Sequence, residues 1–482
     1  MSDWIEEEFR TVSLDDQRLN QRLRRLLTYK WQNLGARFSA AGHAEAMAAS
    51  RFFENEQVTQ QKILAPHRAA IVQRIAAGAF PQVLIVQDTT ECDYTSHPKL
   101  VGAGPLATAS RRGFFAHSEL VITPERLPLG LWDTLIYARN DDAQGQAAER
   151  EKWPIAEKES FRWLQGYRHA CALAAEVPSC QVVSVSDREG DIYEVFAESA
   201  QRRAQGLPVA ELLIRSKEDR CLEACDQAGP DKIRARLAAA PALGTVRFRV
   251  PAATRLQKVK GQGPQPVRRS AREVEQEVRA IRIQLKPPHR SAAAGGPLPP
   301  VELTVVEARE INPPPGELPL VWVLLTTLPA ERFEQAGALL ERYLGRWEIE
   351  LFHKVLKSGC RLEEMQQRFD FTLLPAIVLC MLLAWRLLHV MRLGRECPDL
   401  PCDLVFDDSE WKSVVVALAG RAALEPKPSV GVIIRLIARL GGHLGRKKDP
   451  PPGMKCLWIG LARMADFAFC WDTFGPAPAD SG

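Results

Sequence analysis

Two short apolar runs constrain the fold of this chain more than anything else in it, Val83-Leu-Ile-Val-Gln-Asp88 and Val182-Val-Ser-Val-Ser-Asp187. Each is rich in β-branched and aliphatic residues and then turns polar on an aspartate, the pattern of a buried strand that carries an acid to the edge of a sheet. An aspartate after a strand is also ordinary turn chemistry, so neither run taken singly decides a function.

From Gln82 the chain reads as the Asp88 strand, two further strands around His117–Ile122 and Leu129–Tyr137, a helix near Glu157–Ala175, the Asp187 strand, a helix over Ile192–Ala204 and a strand at Leu212–Arg215. Three strands, helix, strand, helix, strand is the order of a ribonuclease H-like fold, whose parallel strands need right-handed crossovers. An insertion at about 218–328 follows, with strands expected at Val301–Arg309 and Pro319–Thr326 around the Pro313-Pro-Pro-Gly turn. The expected organisation is therefore α/β, with an N-terminal helical domain at 1–79, a ribonuclease H-like domain at 80–369 interrupted by a β-rich basic insertion, and a C-terminal helical domain at 370–482. In the first of these, Ser13 with Asp15 and Asp16 is the expected N-cap and first turn of a helix whose Leu19, Leu23, Leu26 and Leu27 form an apolar stripe. In the last, Leu373–Val390 is strongly apolar, but with Pro375, Arg386 and His389 inside it reads as a buried helix and not a membrane span. Helices are also expected at Val430–Leu444 and Trp458–Trp471. Arg290–Pro300 is low in complexity and, like the tail from Gly475, is expected to be mobile.

A third acid comes with cations around it. Tyr343, Arg346, Glu350, Lys354 and Lys357 fall at helical spacing inside Leu339–Lys357, and on one helix they would share an arc of roughly 80°. Leu344, Trp347, Ile349, Leu351, Phe352, Val355 and Leu356 supply the apolar remainder. Alone, such a face is a solvated stripe of i,i+4 pairs. With Asp88 and Asp187 it makes three carboxylates from distant parts of the chain, the hard oxygen ligands that two Mg²⁺ ions require. Fixed cations beside them suit a polyanion laid across those ions, which points to phosphoryl transfer on nucleic acid.

Tyr343, two residues, Arg346, three residues, Glu350, six residues, Lys357 matches the Y-(2)-R-(3)-E-(6)-K signature of the IS-four group of bacterial DDE transposases. Arg51-Phe-Phe, Asp88-Thr-Thr, Gly113-Phe-Phe-Ala-His-Ser118, Asp187-Arg-Glu-Gly-Asp-Ile192, Ile214-Arg-Ser-Lys217, Glu310-Ile-Asn-Pro-Pro314, Pro319-Leu-Val-Trp-Val-Leu-Leu-Thr326 and Arg346-Trp-Glu-Ile-Glu-Leu-Phe-His-Lys354 resemble the Tn-five member of that group in the same order. The resemblance covers nearly the whole chain and is weakest beyond about Asp370. It implies cut-and-paste transposition: two Mg²⁺ ions, replaceable by Mn²⁺, held by Asp88, Asp187 and Glu350 nick the element's end. The freed 3′-hydroxyl then forms a hairpin, water opens it, and the 3′-hydroxyl attacks target DNA. It also implies that Tyr343, Arg346, Lys354, Lys357, Arg215 and Lys217 contact DNA phosphates, with His353 as a weaker contact. Trp322, by default a core tryptophan, would stack on a flipped base. Tyr343 is thus a phosphate contact and not a nucleophile. The implied partners are double-stranded DNA, as terminal repeats and target, and a second copy of the chain in the synaptic complex, with no nucleotide cofactor and no membrane.

The remaining features agree. From Arg247 to Arg290 twelve Lys or Arg face three Glu, a local excess of nine positive charges in a chain whose balance is only +4. That segment reads as a basic insert with an exposed Gly/Pro loop suited to DNA through counterion release. Eleven cysteines include no Cys-x2-Cys pair; Cys221 and Cys225 are the nearest approach. Reduced thiols in a bacterial cytoplasm, close to the nucleoid, are expected. Asp191 and Glu189 are expected to support Asp187 and not to bind metal, and His117 to be structural. A metal-dependent nuclease of the same fold would share the acids but has no use for a Trp322 pocket, the insertion or a dimerising end. A catalytically idle DNA-binding derivative would not keep all three acids, and a lysine-rich face disfavours a glycosidase.

Overall fold

A computed structural model describes residues 3–38, 42–108, 110–141, 153–223, 232–257, 265–289, 296–446 and 449–475. They form two compact units, Met1–Gly145 with Trp347–Gly482, and Gln146–Arg346.

The first unit opens with four helices, α1 Asp3–Glu8, α2 Gln17–Gln32, α3 His43–Phe53 and α4 Gln60–Ala77. The cap of α2 is Asp16, whose side chain accepts the Arg18 amide at 2.7 Å, and not Ser13. Asp15, at φ 60°, is in the left-handed region, so the helix cannot extend back past it. The expected leucine stripe is present, with Leu23, Leu26 and Leu27 buried. An antiparallel group follows, β1 Gln82–Asp93, β2 Gly104–Pro105, β3 Arg112–Ile122 and β4 Pro128–Tyr137, in which β3 pairs with the other three. β1 does not end on Asp88. It is buried through Gln87, half-buried over Asp88–Glu91 and at Asp93 with Cys92 buried between, and held to β3 as far as Asp93 opposite Gly113. The polar residues after Asp88 thus extend the strand, because their backbone is still paired even where their side chains face water.

The second unit contains α5 Phe161–Glu176, β5 Gln181–Ser186, α6 Tyr193–Ala204 and β6 Glu211–Arg215. β5 and β6 are parallel neighbours, Val183 opposite Glu211, and α6 makes the crossover that a parallel pair needs. Next come α7 Ile233–Ala239, β7 Gly244–Val250, β8 Ala253–Gln257, β9 Gln265–Arg269, β10 Arg272–Leu285, β11 Val301–Glu310, β12 Val321–Thr326 and α8 Phe333–Leu344. The insertion is β-rich as expected, and it is not a separate layer: the strands run β5-β6-β12-β11-β10-β7, with Leu324 of β12 opposite Arg215 of β6. β8 and β9 pair apart from them as a hairpin. The charge excess of this segment is partly offset at home. Arg247 pairs with Glu275 at 2.9 Å, Arg272 with Glu310 at 2.8 Å and with Glu317, Arg279 with Glu277, and Arg282 with Glu302. Glu302, Glu310 and Glu317 lie beyond the stretch whose charges were counted. Lys258 and Lys260 of the expected basic loop, and most of the low-complexity stretch after Arg290, lie outside the described residues, as does the tail beyond Gly475.

The chain returns to the first unit with α9 Trp347–Lys354, a π-helical turn Val355–Gly359, and then α10 Asp370–Glu396, α11 Asp408–Ala419, α12 Val430–Leu440 and α13 Met454–Phe474. A single helix over Leu339–Lys357 is therefore a wrong expectation. The helix stops at Leu344 with Gly345 as its cap, a new helix runs over Trp347–Lys354, and the turn after it is π-helical. Trp347, expected on the apolar side, is 50% exposed, while Glu348 is buried. α10 is long and apolar enough to cross a membrane by length and composition, yet 83% of its most apolar window is buried. Trp385 of this helix donates to the Pro128 carbonyl at 3.1 Å, and Trp4 of α1 packs edge-on against its ring. The architecture is mixed α/β, ribonuclease H-like in element order with a β-rich insertion and helical segments at both ends.

Candidate active site

In the first unit the helix of Glu350 packs on the sheet that carries Asp88. Asp88 lies opposite Ser118 in the β1/β3 register, and directly opposed residues of an antiparallel pair project from the same face. His353 Nε2 is 3.3 Å from Ser118 Oγ. Glu350 is three residues before His353 and so shares its side of α9. The acid-bearing side of α9 thus lies over the pleat that carries Asp88. Both acids are half-buried, and Asp88 Oδ1 accepts the Thr89 amide at 2.7 Å. His353 is 7% exposed and takes part in this anchor. Lys354 is exposed and Lys357 half-buried, its ammonium 3.8 Å from Glu363. Glu363 also accepts the Asp93 amide at 2.9 Å, tying the segment after α9 to the end of β1. His117 is structural, buried with Nδ1 2.9 Å from Thr89 Oγ1.

In the second unit Asp187 follows β5 and caps a short 3-10 turn, accepting the Glu189 amide at 2.8 Å. Tyr343 is buried with its hydroxyl near the Arg346 and Arg215 guanidinia; burial raises its pKa, against the pull of those two cations, and the charge of Asp187 adds to the rise. Burial lowers the pKa of Arg215, and Arg188 and Arg346 add to this as like charges. Trp322 packs edge-on against Tyr343, ring centroids 5.6 Å apart. The structure therefore gathers Asp187, Arg215, Trp322, Tyr343 and Arg346 into one neighbourhood. Lys217 presents an exposed side chain while its amide donates to Asp191 at 2.7 Å. Asp191 is a scaffold, as expected: it also takes the Arg220 guanidinium at 2.6 Å and so shapes the turn after β6. Glu189 pairs with Arg162 at 2.7 Å.

Among the described residues no group of three or more His, Cys, Asp or Glu is disposed to hold a metal ion. Magnesium does not require such a group, since one or two carboxylates commonly hold it while phosphate and water complete the octahedron. Asp88, Glu350 and Asp187 are each half-buried carboxylates, hard oxygen donors of the kind magnesium takes.

Comparison with known families adds two matches. A family model described as Transposase DNA-binding covers residues 1–58, and one described as Transposase Tn5 dimerisation domain covers residues 382–471. Both ends of the chain are thus similar to segments of Tn5-type transposases. The two matched segments lie in the same compact unit, although they stand at opposite ends of the sequence. Sequence reasoning missed Ser118 as the strand neighbour of Asp88 that meets α9, although it lies within the Gly113–Ser118 run.

Proposed function

We propose that this transposase moves a DNA element by cutting it out and pasting it elsewhere, with Asp88, Asp187 and Glu350 as its metal-holding carboxylates. When bound there, Mg²⁺ (or Mn²⁺) would stabilise the attacking and leaving oxygens of an in-line displacement at phosphorus. The chain's own residues do the rest. The Arg215 and Arg346 guanidinia beside the Tyr343 hydroxyl suit a phosphate near Asp187. Lys354 and Lys357 offer ammonium groups along the strand that passes Glu350. The steps follow in order: water attacks one strand, the released 3′-hydroxyl attacks the other to close a hairpin, water reopens it, and the 3′-hydroxyl attacks target DNA. None needs a covalent enzyme intermediate. Two copies of the chain would hold two element ends together through the segment resembling the dimerisation domain.

The observation that supports this reading best is the Ser118–His353 contact, which brings the helix of Glu350 onto the Asp88 pleat. The test is Glu350→Gln, assayed on a duplex carrying the inverted repeat that flanks the gene. End binding in a gel shift is expected to hold while nicking falls by several orders of magnitude. Equal loss of both would reassign Glu350 to folding.

A further inference from the structure

The stretch from the Glu350 helix through the π-helical turn after it is held on either side of Glu350 by charged side chains from distant parts of the chain. Ahead of Glu350, the buried Glu348 carboxylate takes the Arg392 guanidinium on both oxygens, one from Nε at 2.8 Å and one from Nη2. Arg392 belongs to α10, inside the segment matched by the dimerisation model. Beyond Glu350, the π-helical turn ends at Cys360, whose carbonyl accepts from Lys30 Nζ at 3.1 Å. Lys30 belongs to α2, inside the segment matched by the DNA-binding model, and is 1% exposed. Its ammonium also donates to the Ala36 carbonyl and lies 5.4 Å from the centre of the Phe38 ring. Among the described residues no carboxylate stands within ion-pair distance of it.

Neither grip is what stability alone would select. A buried ammonium served by carbonyls, and a buried ion pair, are both costly to desolvate, and apolar side chains of similar size commonly do as well or better. What such groups add is direction: each hydrogen bond fixes one geometry, where an apolar contact tolerates several. A site that aligns two reacting oxygens on phosphorus is sensitive to that, since misplacing a group by about 1 Å can cost on the order of a hundred-fold in rate. Burial keeps Lys30 from touching DNA itself, so it can act on Glu350 only through Cys360 and the π-helical turn that joins it to α9.

We infer that Lys30 and the Glu348–Arg392 pair are positioning residues for Glu350, coupling the end-binding and dimerising helices to the metal-holding acid so that cleavage depends on both being docked. The inference rests on Glu350 holding metal, as proposed above. Full-length Lys30→Met and Glu348→Gln proteins test it on the flanking inverted-repeat duplex. Four quantities are measured: the thermal melt, end-DNA affinity, single-turnover nicking, and Mn²⁺ binding by the protein–DNA complex, read from the free-ion signal in electron paramagnetic resonance. End affinity is expected within about two-fold of the parent, nicking reduced about a hundred-fold and Mn²⁺ affinity about ten-fold. A merely structural role would lower melting and DNA affinity together and leave Mn²⁺ binding by the surviving folded complex unchanged, which overturns the inference. So does normal nicking in either folded variant. Should one of them fail to fold, Lys30→Arg and Arg392→Lys keep charge and volume but change the bond geometry; reduced nicking and Mn²⁺ affinity there support the inference, and parental values overturn it. Glu350→Gln in parallel separates two failures. If it nicks normally the assignment of Glu350 is at fault; if it is dead while Lys30→Met nicks normally, only the coupling is.

Discussion

At the scale of single residues, Trp322 is the position where sequence and resemblance pull apart, and its surroundings favour neither extreme. It is half-buried on β12, edge-on to Tyr343, so it is neither sealed in a core nor free of the wall. If it receives a flipped base, Trp322→Ala should leave first-strand nicking nearly intact and depress hairpin formation, because only that step forces a base out of the stack. A fully buried tryptophan would cost about 3–5 kcal/mol on truncation and impair every step alike. Denaturing gels that resolve nicked and hairpin products, run beside a thermal melt, distinguish the outcomes. The cations divide in the same way. Exposed Lys354→Ala should flatten the salt dependence of end binding by about one unit of logarithmic slope and leave the melt unchanged. Arg346, 8% exposed, should lower the melting temperature as well when truncated. If Lys354→Ala leaves the slope unaltered, Lys354 is only part of a solvated face.

At the scale of elements, α12 and α13 pack at backbone contact. A Cβ on Gly460 would fall 1.9 Å from the Ile437 carbonyl oxygen, and one on Gly441 would fall 1.7 Å from that of Cys456. Backbone cannot yield as a flexible side chain can, so Gly460→Ala should push the helices apart and cost about 1–3 kcal/mol. In a urea melt the transition midpoint should fall; an unchanged midpoint would mean that the helices separate freely. Both helices lie within the dimerisation-like segment, so the loss should extend to recovery of dimer on a sizing column. The re-winding between Leu344 and Gly359 belongs to this scale too. Spacing alone assigns one continuous helix there, yet burial of Glu348 against Arg392 and exposure of Trp347 are what orient α9.

At the scale of the whole molecule, buried titratable groups tie the two ends of the first unit to pH. His389 of α10, its Nδ1 2.8 Å from the Pro128 carbonyl oxygen, is pushed down to about 3 by burial and by the Arg386 charge. It is neutral in the fold, whereas the unfolded chain takes up a proton below its ordinary value near 6.5. The stabilisation is therefore complete above that value and declines as pH falls toward 3, by about 1.4 kcal/mol per pH unit. His67, also buried, is lowered in the same sense against the pull of Glu8. Glu8, held at about 2 by His67 and Arg74 despite its burial, adds its own loss only below about 4.5. Urea melts at about pH 7.0, above the ordinary histidine value, and at about pH 5.5, below it, should show reduced stability at the lower one. His389→Gln should reduce that slope by about 1.4 kcal/mol per unit. A slope identical in the parent and the variant would mean that His389 is already protonated in the fold.

The order of strands and helices, the apolar α10 and the leucine stripe of α2 follow from the sequence alone, because each depends on the periodicity of neighbouring residues. Asp88, Asp187 and Glu350 were legible as candidates for the same reason: two end apolar runs and one sits in a spaced signature. Whether a strand continues past its last apolar residue was not, since β1 is carried on to Asp93 by pairing with β3. Nor could the sequence say that the first and last segments share one compact unit, or that Lys30 reaches Cys360 and Arg392 reaches α9. Those contacts join residues as much as 330 apart, and no local pattern encodes a partner so distant. Only the folded chain, by choosing which buried polar groups must satisfy one another, decides them.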